Sequence, residues 1–279
     1  MRYLNLDPDF QPYGKGIAFE HFTFPGGEPH IKIQEEVPAD GEVMVVQRVR
    51  NFNDLGTLFL AVDALRRMGV NHIALTLPYF PGARQDRQMV PGEPLTVKVY
   101  AQLINGLMLD KVVILDPHSE VTPALLDHVQ VITNLPFALE ALSDLEDFVL
   151  VAPDAGALKK VYELAKAADG PAVILSTKKR NVATGALSGF EVMADDLGGQ
   201  TCVVVDDICD GGGTFLGLAE ALKRKNAGKL ILIVTHGIFS KGTEALAAQY
   251  DCIYCTNSFR NLESEDIIQL ELNHQLLNQ

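Results

Sequence analysis

Three carboxylates, three glycines and a hydroxyl crowd one short segment: Asp206, Asp207, Asp210, Gly211, Gly212, Gly213 and Thr214. Glycines let a backbone approach an anion closely, and a helix N-terminus offers unpaired N–H groups to a phosphate. The carboxylates cannot serve that phosphate; they suit ribose hydroxyls or a magnesium ion. The combination points to a sugar phosphate. Cys202 to Val205, just upstream, reads as a buried strand, and Phe215 to Leu222 reads as the start of a helix. The charged segment is therefore expected as a strand-to-helix turn, at the carboxyl end of a strand, where α/β sheets bind ligands.

Other strand ends carry chemistry of the same kind. Arg84 and Arg87, with Gln85 and Asp86 between them, follow an apolar run and a Gly/Pro loop, so two guanidinium groups can clamp phosphate oxygens. The plainer alternative is a solvated loop with an internal Arg–Asp pair. His118 follows another strand and stands among Asp116, Ser119 and Glu120, where it suits a metal or a triphosphate, or a purely structural role. Asp154 sits in a tight turn that opens a helix and reads equally as a ligand or as a helix N-cap. Lys178, Lys179 and Arg180 follow a strand ending near Ser176. They are surface decoration, or a mobile cationic loop that neutralises charge developing in phosphoryl transfer.

These loops need a scaffold, and the apolar pattern supplies one. Strands are expected at Val43–Gln47, His72–Pro78, Lys111–Leu115, Phe148–Ala152, Ala172–Ser176, Cys202–Val205 and Leu230–Thr235. Helices are expected at Asp54–Met68, Thr96–Leu109 and Ala157–Ala168. Such alternation implies an α/β fold with mainly parallel sheets flanked by helices. A seam near Leu135 to Asp147 separates two halves of similar design, giving domains at 1–138 and 139–279.

Bulk properties narrow the function classes. The chain has 279 residues, 47% of them hydrophobic, which is ample for two cores. A net charge of −13 argues against a general nucleic-acid partner. No apolar run is long enough to span a bilayer and no signal peptide is visible, so no membrane partner and a cytoplasmic location are expected. Four cysteines make no disulfide framework, and the lone pair Cys252 and Cys255 lies in a strand-like stretch. Neither the G-x-x-x-x-G-K-[ST] phosphate loop nor the G-x-G-x-x-G dinucleotide fingerprint is present.

The segment from Asp206 to Thr214 resembles the ribose-phosphate loop of the type I phosphoribosyltransferase fold. Pro78 to Arg87 resembles the "PYF-x-x-ARQDR" motif of the ribose-phosphate pyrophosphokinase family, the synthetases of phosphoribosyl pyrophosphate (PRPP). Leu115 to Glu120 is similar to that family's "DLHAE", Pro153 to Gly156 to its "PDxG", and Ser176 to Arg180 to its "DKRR" loop. The motifs occur in family order, from roughly Phe22 to Cys255. The resemblance implies two phosphoribosyltransferase-like domains, an N-terminal one on the ATP side and a C-terminal one on the ribose-phosphate side. It implies an active site between them, and homodimers or hexamers. The implied reaction moves the β,γ-diphosphate of Mg-ATP onto the anomeric hydroxyl of ribose 5-phosphate, giving PRPP and AMP. Its cofactor is Mg2+.

By the same resemblance Phe24, Glu28, Arg84, Gln85, Arg87 and His118 bind ATP, and His118 and Asp154 take part in magnesium binding. Lys178 and Arg180 match the basic loop over the transition state, Asp206 and Asp207 bind the ribose hydroxyls, and Asp210 to Thr214 cradle the 5-phosphate. Three departures stand out. Met1 to Glu20 is short and proline-broken where the family opens with a strand-and-helix unit. Gly26 replaces the Asp of "FSDGE", which leaves the donor base open. Gly211 replaces a Thr, which removes a hydroxyl and widens the pocket. Backbone N–H groups then bind the phosphate alone, or the acceptor is a substituted ribose phosphate such as ADP-ribose. A PRPP-consuming phosphoribosyltransferase and a non-catalytic regulator of a synthetase are the other classes.

Overall fold

The structure is a computed structural model of the chain. It describes residues 1–180 and 187–277, and the side chains of residues 178–180, 187 and 188 lie outside that description. The chain divides into two compact units: Met1–Ile132 with the segment from Leu272 onward, and Thr133–Glu271.

The first unit runs β1 (Arg2–Asn5), β2 (Phe19–Thr23), β3 (Pro29–Ile33), β4 (Glu42–Val46), α1 (Phe52–Arg67), β5 (His72–Leu77), α2 (Thr96–Asn105), β6 (Lys111–Leu115), α3 (Val121–Leu125) and β7 (Val129–Ile132). Its five-stranded sheet has the order β1-β4-β5-β6-β7, every pair parallel. Parallel strands covered on both faces must be apolar on both. On β4, Val43 and Val45 enter the core beneath α1 and α2, while Met44 and Val46 enter the core of the opposite face. The Asn51 side chain begins α1 by accepting from the backbone N–H groups of Asn53 and Asp54, at 2.8 and 3.1 Å. Such a cap is worth about 1 kcal/mol. Leu55, Leu58, Ala61, Val62 and Leu65 then form the stripe that buries the helix.

The short proline-broken start carries β1 and then the β2–β3 hairpin, where the sequence pattern gave no element. β1 has only four residues, too few for a periodicity to show, and its pairing with β4 makes it a strand.

The second unit runs α4 (Leu135–Leu142), β8 (Phe148–Ala152), α5 (Leu158–Ala167), β9 (Val173–Arg180), β10 (Leu187–Val192), β11 (Thr201–Cys209), α6 (Gly213–Arg224), β12 (Leu230–Gly237), α7 (Glu244–Ala247), β13 (Cys252–Thr256) and β14 (Ile268–Leu270). The sheet order is β10-β9-β8-β11-β12-β13-β14, parallel throughout except for the antiparallel β9–β10 pair. Along β11, Cys202 and Val204 pack with Leu218 and Leu222 of α6, while Val203 and Val205 pack with Val161 and Leu164 of α5.

Three boundaries differ from the sequence expectation. A division at 138/139 would cut α4, whose Phe137, Ala138, Ala141 and Leu142 belong to the second unit's core. The chain then returns: α8 (His274–Leu277) brings Leu277, with Leu272, onto the first unit's sheet beside Phe10, Met44 and Val46. The basic triplet does not follow a strand but lies on one, since β9 runs to Arg180 and pairs with β10 through Lys178↔Phe190, Lys179↔Ser188 and Arg180↔Leu187.

Among the described residues no helix is long and apolar enough to cross a membrane. Cys252 and Cys255 belong to cores on opposite faces of the second sheet, so β13 cannot aim both at one metal.

Candidate functional site

In the second unit the chemistry gathers where β11 outlasts its neighbour. β11 stays paired with β12 through Asp206↔Val234, Ile208↔His236 and Cys209↔Gly237, whereas its pairing with β8 ends at Val204↔Val151. Asp206 and Asp207 are thus strand residues rather than turn residues, on a strand end that is flanked on one side only. The backbone N–H of Asp207 donates to the Asp206 carboxylate at 3.0 Å. Two residues past the end of β8, Asp154 accepts from the N–H groups of Gly156 and Ala157, at 2.8 and 3.2 Å. That turn leads into α5 without capping it, since the N-cap position is Ala157 and not Asp154, and it sets Asp154 within the field of Asp206. Burial, then the facing Asp207, then Asp154 push the Asp206 carboxyl well above the usual carboxylate range.

Among the described residues no three His, Cys, Asp or Glu side chains form a ready-made metal cage. Magnesium does not need one. It keeps several waters and takes one or two carboxylates together with substrate oxygens. Carboxylates held together against their own repulsion fit such a guest, so Asp206 and Asp207, with Asp154 beside them, are a donor set suited to magnesium.

After Cys209 the chain turns through Asp210 and Gly211 into α6. Gly212 holds φ at 74°, and a Cβ there would meet Leu246 at 3.3 Å, so both backbone and space call for glycine. Gly213 and Thr214 occupy the first turn of α6, where backbone donors lack helical partners. At Gly211 the space left by the missing side chain is bordered by Lys241. A Cβ at residue 211 would touch Cδ and Cε of Lys241, each at 3.5 Å, because that side chain already lies alongside.

In the first unit the loops after β5 and β6 converge. Gly82 holds φ at 71°, with its Cβ position 2.9 Å from Thr96 Cγ2, so the loop lies tightly on the start of α2. The backbone N–H of Gln85 closes a turn onto the carbonyl of Gly82 at 2.9 Å. Asp86 is buried and accepts from Arg87 through Nε at 2.8 Å and Nη2 at 3.2 Å. The internal Arg–Asp pair is therefore present, and it uses two of the five guanidinium donors of Arg87. The Arg87 pair above all, with the hydroxyl of Ser119 and the nearby His118, holds the Asp86 carboxyl below the usual carboxylate range. Arg84, Gln85 and His118 lie on exposed loop positions of this unit.

Phe24 and Glu28 face each other across the β2–β3 turn, where the Phe24 N–H donates to the Glu28 carbonyl at 2.9 Å. The ring of Phe24 packs on Phe22 and His30. Lys178 and Arg180 stand on β9 by backbone, and their side chains lie outside the described residues. Of the two metal candidates, His118 belongs to the first unit and Asp154 to the second.

The structure adds residues that the sequence reading did not select. Asp86 and Ser119 tie two loops together, and Ser240 and Lys241 border the glycine turn. Ser240 and Lys241 follow a strand expected to stop at Thr235, and their position at a strand's carboxyl end was the available signal.

Comparison with known proteins covers both units. A family model described as the N-terminal domain of ribose phosphate pyrophosphokinase matches residues 15–107, and a phosphoribosyl transferase domain model matches residues 124–266. A ribose-phosphate pyrophosphokinase of Vibrio cholerae is 34% identical over 222 residues, covering 78% of this chain and 70% of that protein. One of Agrobacterium fabrum is 32% identical over 276 residues, covering 96% of this chain and 82% of its own. The crystal structure of phosphoribosylpyrophosphate synthetase from Mycobacterium smegmatis superposes with a TM-score of 0.82 at 26% identity, over 95% of this chain and 89% of that one.

Proposed function

The chain belongs to the ribose-phosphate pyrophosphokinase family, and on that premise we propose that it makes PRPP and AMP from Mg-ATP and ribose 5-phosphate. The anomeric hydroxyl oxygen of ribose 5-phosphate forms a bond to the β-phosphorus, the α,β-bridging oxygen leaves with AMP, and the hydroxyl proton is released. In-line displacement of this kind is helped chiefly by positioning and by neutralising charge. Asp206 and Asp207 orient the ribose hydroxyls, and the turn from Asp210 to Thr214 presents backbone donors to the 5-phosphate. Arg84, Gln85, Arg87 and His118 hold the triphosphate, Phe24 and Glu28 hold the base, and Lys178 and Arg180 meet the charge that grows in the transition state. Magnesium, when bound, would lower the negative charge of the diphosphate; Asp154, Asp206 and Asp207 would hold it in the second unit, and His118 would take part from the first unit's triphosphate loop. The same reading makes the protein a cytoplasmic homodimer or hexamer.

The convergence of the loops after β5 and β6 carries this reading. Arg87, locked on Asp86, stands with Ser119 and His118 on an anion-ready surface. A transferase that only consumes PRPP has no use for a second polyphosphate site, and a silent regulator has no use for the acidic strand end.

The test is AMP release, with 31P NMR of the second product, from Mg-ATP supplied with ribose 5-phosphate or with ADP-ribose. PRPP and AMP appearing together with ribose 5-phosphate is the expected result. AMP release with ADP-ribose alone would overturn the acceptor, and PRPP consumption without any ATP requirement would overturn the class.

A further inference from the structure

Lys241 lies on the loop after β12, and that loop is fastened to the glycine turn. The N–H groups of Ile238 and Phe239 both donate to the Cys209 carbonyl, at 2.9 and 3.1 Å. The Ser240 N–H donates to the Asp210 carbonyl at 3.2 Å, and the Ser240 hydroxyl donates to the Asp210 carboxylate at 2.6 Å. From the other side, Arg260 donates to the carbonyls of Ile238 and Phe239, at 2.7 and 3.3 Å. Four bonds to one turn and two to a neighbouring guanidinium fix where the backbone of Lys241 begins.

Its side chain runs along Gly211, with Cδ and Cε each 3.5 Å from where a Cβ would stand and Cγ at 3.8 Å. Gly211 and Lys241 are direct neighbours: a Cβ at residue 211 would stand in ordinary van der Waals contact with the lysine stem. Among the described residues no ion pair or hydrogen bond engages the Lys241 ammonium. A long exposed cation thus borders a turn whose own offering to an anion is backbone N–H groups.

We propose that Lys241 binds the 5-phosphate of the acceptor and sets its preference for an unsubstituted phosphate monoester. This rests on the acceptor site read above. An ammonium is a compact point charge well suited to phosphate oxygens, and it complements the helix-end donors of Gly213 and Thr214. The dianion of a monoester gains more from it than a phosphate linked onward to a nucleoside, which carries one charge fewer. A substituent on the phosphate must also pass the lysine stem beside Gly211. The space beside Gly211 is therefore lined by a cation.

Steady-state kinetics of the full chain, with ribose 5-phosphate and ATP varied in turn, test this. One charge-assisted hydrogen bond corresponds to roughly 10-fold to 100-fold in binding. Lys241→Ala is expected to raise KM for ribose 5-phosphate by about that factor while KM for ATP stays within about 2-fold, and Lys241→Arg should recover much of the loss. The ratio of kcat/KM for ribose 5-phosphate over that for ADP-ribose should fall in Lys241→Ala. An unchanged KM for ribose 5-phosphate, or an equal rise for ATP, would overturn the proposal. If the wild-type protein releases no AMP, the reaction assignment fails. Calorimetric titration with ribose 5-phosphate then decides on Lys241 alone: weaker binding to Lys241→Ala supports it, and equal binding to both proteins refutes it.

Discussion

The two strand-end regions treat their acidic groups in opposite ways. In the first unit Asp86 is buried but matched, with Arg87 across it and Ser119 donating to it, and its carboxyl is held low. In the second unit Asp206 faces Asp207 and Asp154, and its carboxyl is driven high. The first arrangement is complete before any ligand arrives, so its carboxylate serves to position the arginine. The second is left in tension that a cation or a set of hydroxyl donors relieves. Carboxylates near a phosphate site therefore do two different jobs here, and their surroundings tell them apart.

The largest break in that comparison should come from Asp206→Asn. The amide oxygen can still accept from Asp207 N–H, so the fold is kept while one repelling charge is removed. Turnover is expected to fall by about 10³-fold, from the loss of an oriented charge at the reacting sugar. Thermal unfolding without ligands should nonetheless move upward, and magnesium should raise the melting temperature of this variant less than that of the wild type. A lower melting temperature for the ligand-free variant would mean that Asp206 is matched after all.

Arg87→Ala is next in size. It removes a phosphate contact and strips Asp86 of its partner, so KM for ATP is expected to rise about 10-fold to 100-fold with KM for ribose 5-phosphate little changed. Gly212→Ala separates conformation from charge. At φ 74° and against Leu246, a methyl group should cost about 1–2 kcal/mol in chemical denaturation.

The smallest effect is a pH dependence that should run in opposite senses for the two regions. A depressed carboxyl such as Asp86 contributes stability above its unfolded pKa, and that contribution is lost as pH falls through the depressed value. A raised carboxyl such as Asp206 contributes below its unfolded pKa, and its contribution is lost as pH rises through the raised value. The melting advantage of wild type over Asp86→Asn should therefore shrink in acid. The advantage of Asp206→Asn over wild type should shrink in acid as well, and grow as pH rises through the raised value. Melting curves across pH for the three proteins check both signs.

Much of this was legible in the chain because apolar runs of four or five residues mark parallel strands, and charged or glycine-rich loops mark their ends. Phe148–Ala152 and Lys111–Leu115 were legible to the residue. Asp206 and Asp207 were misplaced into a turn because a strand was expected to end where apolar residues end. Backbone pairing with β12 carries β11 four residues further, to Cys209. Lys241 offered only its position beyond a strand's carboxyl end. Nothing in the chain links a lysine some thirty residues beyond Gly211 to that turn; the hydrogen bonds between two loops bring it alongside. Asp86 was visible but took its meaning from Arg87, Ser119 and His118 together.

The return of the chain from Leu272 onward has a consequence for how the molecule is made. Leu272 and Leu277 pack with Phe10 on the sheet face formed by Met44, Val46, Val113 and Ile132. During synthesis that face is left without its cover while residues 133–271 are added, on the order of 10 s at typical elongation rates. The second unit can close as soon as it emerges, whereas the first, although started earlier, is finished last. An apolar sheet face waiting on a nascent chain is a target for a chaperone and a hazard for aggregation. A variant that trims the final helix should therefore lower the yield of folded protein more than its small loss of buried area suggests.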